Sequence, residues 1–176
     1  MEEKQLKQRM YFLVMYNISE IQKGIQAGHA QNEYELKYGN TSEYAQWSLF
    51  DKTWMVMNGG TSNHKGDNRY NDEICVGSME TNLWTLEQAG VPCAPFYEPD
   101  LNNATSAIAF LADERCWNKE LYPDPKSGDL LLEGEKSIFL VDPDVIAERK
   151  MDFFSKTLGD RRAAWLRIFC SNLRFA

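Results

Sequence analysis

Gln22, Gln26, His29 and Glu33 follow one another at steps of four, three and four, with Lys23 beside the first of them. On a helix this spacing lines them up as one polar stripe. The chemistry such a stripe offers is acid–base catalysis, and His29 is its candidate, because imidazole titrates closest to neutrality. The chain has one other histidine, His64, in a turn-rich stretch where nothing suggests orientation or a shifted pKa. A second polar cluster, Glu98-Pro99-Asp100, is followed by Thr105. Both sets also have plainer readings. On spacing alone the stripe is the pattern of an ordinary solvated helix face, and the cluster that of a turn whose side chains satisfy local backbone donors.

The elements around these residues decide whether the two sets can meet. Tyr11-Phe12-Leu13-Val14-Met15-Tyr16 is a continuous apolar run of strand formers, as expected for a strand buried on both faces. Ser19 then offers a helix N-cap and Gln22, three residues on, completes a capping box, so a helix is predicted from there to about Tyr38. Ile21, Ile25, Ala30 and Tyr34 supply its apolar spacing. Gly24 and Gly28 lie one turn apart in it and each costs about 1 kcal/mol relative to Ala, so close packing of the helix backbone on the sheet is expected to compensate.

Further on, a short helix is predicted over Glu43 to Phe50 and a strand over Thr53 to Met57, with Asn58 to Glu73 a long surface loop. That loop matches neither phosphate-binding glycine pattern. A helix from Met79 to Gln88 buries Leu83 and Leu86 and stops at Gly90 and Pro92. Cys93 to Tyr97 and Thr105 to Ala112 read as strands whose tight connection suits antiparallel neighbours. Trp117 to Lys136 is an irregular wrap. Asp142-Pro143 caps a helix that ends at Gly159, and Asp160 caps a last one whose apolar face is Trp165, Ile168, Phe169 and Leu173. The order implies an α/β domain, a mixed four-stranded sheet flanked by helices with a helical C-terminal extension. Residues 1–115 form the α/β part and 116–176 the wrap and helices packed on it. In such folds sites form where the first strand passes into its helix.

Composition narrows the function. A net charge of −7 argues against a general nucleic-acid binder. The distribution is uneven, however, since Arg149 to Ala176 holds seven basic residues against two acidic ones and is +5, leaving −12 on the other 148. That stretch reads as a pair of amphipathic helices with solvated faces or as a surface for an anionic partner, RNA included. Cys75, Cys93, Cys116 and Cys170 are widely spaced and read as reduced packing residues, with no metal site. No apolar run approaches the ~20 residues that cross a bilayer, and a cytoplasmic protein without a cofactor is expected.

Gln26-Ala27-Gly28-His29-Ala30, on the helix after an apolar first strand, resembles the G-K-x-x-x-Q-x-x-H-A signature of type II peptidyl-tRNA hydrolases. Ala89-Gly90-Val91-Pro92, a strand, the acidic turn and Thr105-Ser106-Ala107-Ile108-Ala109 resemble that family's later segment, with E-P-D-L in the turn as in compact phage and bacterial relatives. The likeness runs from about Met10 to Ala112. It implies hydrolysis of the ester that joins a peptide to the ribose of tRNA. Lys23, Asp100 and Thr105 would be the catalytic set with His29, and Gln22, Gln26 and Glu98 would line the pocket. Asp100 or His29 would activate a water, and Lys23 or Gln26 would stabilise the oxyanion. Arg161, Arg162 and Arg167 would contact tRNA phosphates. The alternative is a non-catalytic binding or regulatory protein, phage- or element-encoded, that reuses the fold for a protein partner.

Overall fold

A computed structural model describes residues 5–62, 69–70, 73–74 and 77–176. His64 and Cys75 lie outside the described residues. The chain divides into two compact units. One runs to Ala112 and takes in Leu173–Ala176, and the other is Asp113–Asn172. The boundary falls at 112, just before the expected 115, and the last four residues join the first unit instead of the helices before them.

The first unit opens with β1 (Gln8–Met15), α1 (Glu20–Tyr38), α2 (Ser42–Gln46) and one π-helical turn at Trp47–Asp51. Then come β2 (Thr53–Gly60), a two-residue antiparallel ladder of β3 (Arg69–Tyr70) and β4 (Glu73–Ile74), α3 (Ser78–Gln88), β5 (Cys93–Glu98) and β6 (Ala104–Asp113). The sheet is mixed and four-stranded, in the order β2-β1-β6-β5, with β1 parallel to β2 and β5 antiparallel to β6. Central position explains the composition of β1 and β6: Met10 to Met15 and Ala104 to Ala112 are buried throughout, as continuous apolar strands covered on both faces must be. On one face Met10, Phe12 and Val14 pack with Ala107, Ala109, Leu111 and the α1 residues Ala27, Ala30 and Tyr34. On the other, Tyr11 stacks on Phe110 with ring centroids 5.3 Å apart, and α3 packs against β1, β2 and β5.

Three expectations are corrected here. β2 runs on through Asn58-Gly59-Gly60, where the turn-rich composition predicts a loop. The glycines are needed because α3 starts against them: a Cβ on Gly59 would strike the Met79 sulfur, and Gly60 has φ +88° with Ser78 against it. By contrast, a Cβ on Gly24 or Gly28 would meet nothing within 4 Å, so neither glycine serves close packing of α1. Finally, Ile21 and Ile25 are exposed, 78% and 51%, and Leu83 of α3 is only partly buried.

The second unit holds α4 (Glu114–Trp117), α5 (Pro143–Leu158), α6 (Arg161–Ser171) and two 3-10 turns, Ser127–Leu130 and Ile138–Leu140. Asp142 caps α5, Gly159 ends it with φ +68°, and Asp160 caps α6, each by the predicted device. The buried face of α6 is Ala163, Ala164, Leu166 and Arg167, however, and the expected anchors Trp165, Ile168 and Phe169 are half-buried. Leu173 falls beyond the helix. Small residues let α6 pack closely, and Trp165 stacks on Phe169 along its flank at 4.8 Å.

Opposite outcomes follow for two glycines of the first unit. Gly24→Ala should raise stability by up to about 1 kcal/mol, the helix-propensity gain at an open site. Gly59→Ala should lower it by about 1–3 kcal/mol through overpacking against Met79. Urea unfolding of both variants checks the pair, and a destabilised Gly24→Ala would contradict the open surface there.

Candidate functional site

Helix α1 begins as its sequence dictates, with the Ser19 hydroxyl accepting from the Gln22 backbone N–H and the Gln22 side chain accepting from the Ser19 N–H. Gln22 is thereby committed to the cap and is exposed. The inward face of the first two turns carries Lys23 and Gln26, each 8% exposed, in place of apolar residues. This inverts the usual patterning of a helix on a sheet, since isoleucines face water while a lysine and a glutamine face protein. Lys23 is the residue turned inward at the first turn, and its ammonium bonds Glu20 Oε1 at 2.8 Å.

Gln26 is held from two strands at once. The Ser106 hydroxyl donates to its Oε1 at 2.6 Å, and its Nε2 donates to Glu98 Oε2. Glu98 Oε1 also accepts weakly, at 3.4 Å, from the backbone N–H of Asp100 as the cap of the 3-10 turn Pro99–Leu101. Ser106 reaches Gln26 because β6 bulges: Phe96 pairs with Ala107 and Tyr97 with Thr105, so Ser106 is the extra residue. A bulge re-aims a side chain relative to strict alternation, and here it gives the α1 side a hydroxyl that the pleat would have turned away.

The same register separates the predicted catalytic set. Thr105 pairs with Tyr97, between Phe96 and Glu98, and so stands on the sheet face opposite to Gln26; it is 3% exposed. It does not join Lys23 and His29, and Ser106 occupies the place expected of it. His29 lies flat on Phe96, centroids 4.6 Å apart and planes 25° apart, and stays exposed on its other side. Asp100 is exposed in the turn, which is closed by Asn102 and Asn103 at φ +53° and +57°, a conformation asparagine tolerates. The Gln26 network therefore gathers Glu98 and Ser106 directly, brings His29 in through Phe96, and carries Asp100 on the adjoining turn.

The predicted phosphate contacts divide as well. Arg161 and Arg162 are exposed at the start of α6. Arg167 is 2% exposed, donates to both Asp124 Oδ1 and the Tyr122 carbonyl, and ties the second unit together instead of facing a ligand. Among the described residues no three His, Cys, Asp or Glu side chains are grouped to hold a metal ion, and no helix is long and apolar enough to cross a membrane. Burial pushes the thiols of Cys93 and Cys170 up, to about 11 and about 12, and that of Cys116 higher still, so none is a ready nucleophile.

Ser106 and Phe96 are the site residues that sequence reading missed, and only the bulge would have pointed to the first. Removing the amide tests the network. Gln26→Leu leaves the buried Ser106 hydroxyl and the half-buried Glu98 carboxylate with only their weaker 3.4 Å bonds, to the Phe96 carbonyl and from the Asp100 N–H, and should cost about 1–3 kcal/mol in thermal or urea unfolding. Gln26→Leu and Ser106→Ala combined should fall short of additivity by at least about 0.5 kcal/mol. Additive losses would mean that the two side chains do not interact. A scan of the chain against protein-family models finds no match, and none of the curated proteins compared with it is similar.

Proposed function

We propose that this chain is a peptidyl-tRNA hydrolase-like protein that cleaves the ester of peptidyl- or N-blocked aminoacyl-tRNA. The observation that carries the reading is the inverted start of α1, with Lys23 and Gln26 turned inward and Gln26 bonded to Glu98 beside the Asp100 turn. A lysine and a glutamine are costly to bury on a helix that has isoleucines to spend, so their placement is explained better by chemistry than by folding. In the proposed reaction Asp100, whose carboxylate is exposed, takes a proton from water as it attacks the ester carbonyl. The Lys23 ammonium stabilises the developing oxyanion, and His29, held on Phe96, orients the ribose end or protonates the leaving oxygen. Thr105 has no part in this scheme. Arg161 and Arg162 remain as the phosphate contacts of the second unit.

A second reading has its own support. Ile21 and Ile25 expose apolar surface on the same helix, which suits a non-catalytic protein that docks a protein partner through α1.

Peptide release from N-acetyl-aminoacyl-tRNA decides between them. The wild type should release the blocked amino acid, and Asp100→Asn and His29→Ala should each slow release about 10²–10⁴-fold with unchanged melting temperature. Failure of the wild type where a control hydrolase works would overturn the hydrolase reading in favour of the docking one. If the arginines neutralise phosphates, Arg161→Gln with Arg162→Gln should weaken tRNA binding and make the log–log salt slope shallower by about two. An unchanged slope would remove them from the interface.

A further inference from the structure

The second unit contains a groove that the ester chemistry does not use. Its volume is about 730 Å³, within the range of small-molecule sites. One face of α5 forms a wall, since Pro143, Ile146, Ala147, Lys150 and Phe154 recur at helical spacing. Ile168 of α6 and Ile138 and Phe139 of the 3-10 turn add apolar surface, and Phe139 is 90% exposed at the lip. An aromatic ring left in water beside an open apolar groove is covered when a ligand enters.

The polar groups of the lining say which ligand. The charged groups that line it are Lys119, Lys150, Arg167 and one carboxylate, Asp124, so the lining is +2 in a chain whose total is −7. Asp124 is already engaged by Lys119 at 2.7 Å and Arg167 at 2.8 Å. Burial alone would raise its pKa, but these two cations bring it below the ordinary aspartate value, so it stays ionised at neutral pH. Lys150 is in no ion pair among the described residues. A free ammonium between Ile146 and Phe154 on an apolar wall matches a molecule with an apolar body and one negative end.

We propose that this groove binds a small amphiphile with a single anionic head, the head on Lys150 and the apolar body along Ile138, Ile146 and Ile168. Lys150, the cation of the lining that is unpaired among the described residues, fixes the orientation, and the isoleucines supply most of the affinity. The shared chemistry covers medium-chain carboxylates and comparable aryl acids. An acidic amphipathic peptide is a different occupant and is separated by the test.

Isothermal titration calorimetry of the full chain with sodium decanoate, below its micelle concentration, tests the proposal. Saturable one-to-one binding is expected, at least tenfold tighter than that of decyltrimethylammonium. Lys150→Glu should weaken decanoate at least tenfold while leaving 1-decanol binding and the melting temperature unchanged. Ile146→Trp, which fills the groove, should weaken both ligands. No saturation by decanoate, equal binding of the cationic analogue, or an unaffected Lys150→Glu variant would each overturn the proposal. Binding of an acidic amphipathic peptide in place of decanoate would overturn it in favour of a protein-docking groove.

Discussion

A primary amide carries donor and acceptor on separate atoms, so without any charge it can give a carboxylate a proton donor and a hydroxyl an acceptor at the same moment. Gln26 does both, and this pair of hydrogen bonds ties the start of α1 to β5 and β6. The amide is 8% exposed, so every hydrogen bond it lost would cost the desolvation of its partner as well. To keep both, α1 must present the face that carries Gln26, and Lys23, three residues before it, turns inward with it. Ile21 and Ile25 are then left in water. The bulge in β6 belongs to the same arrangement, because without the extra residue Ser106 would point to the other side of the sheet.

Elements fixed by local chemistry were legible in the sequence. Ser19 and Gln22 announce the start of α1, Asp142-Pro143 the start of α5, and Gly159-Asp160 the break between the last two helices, because each device satisfies backbone groups within three or four residues of itself. The mixed four-stranded sheet was legible in the apolar runs. What stayed hidden depends on partners far along the chain. Glu98 and Ser106, more than seventy residues away, hold the start of α1, and so of the spaced set Ile21, Ile25, Ala30 and Tyr34 the last two are buried as the spacing predicts while the two isoleucines are exposed. The bulge leaves no trace in the composition of β6, so the resemblance that implies Thr105 gives no sign of Ser106. Gly59 and Gly60 looked like loop residues because their reason for being glycine, the approach of α3, is tertiary.

The basic C-terminal stretch shows how formal charge overstates a surface. Of its seven cations, Arg149 is paired with Glu135 and Arg167 with Asp124, and Glu135 titrates below the ordinary glutamate range because of that Arg149 bond. Arg115, outside the stretch, holds Asp113 and Asp160 together across the turn into α6. These arginines act as internal fasteners, and the field available to an anionic partner comes from fewer residues than a count suggests.

The last residues of the first unit are a sheet element. Asn58 donates to the Arg174 carbonyl at 2.8 Å, Ala176 donates to Val56 at 3.2 Å, and Phe175 bridges Met57, so β2 is not a bare edge. Both ends of the segment 113–172 are therefore moored to the same unit, and its compactness sets the effective concentration at which the tail meets β2. The entropy of closing a flexible loop rises only with the logarithm of its length, about 0.6 kcal/mol for each doubling. Lengthening or loosening this segment would thus slacken the tether by a modest amount, and the sheet edge would stay guarded through large changes in the chain that spans it.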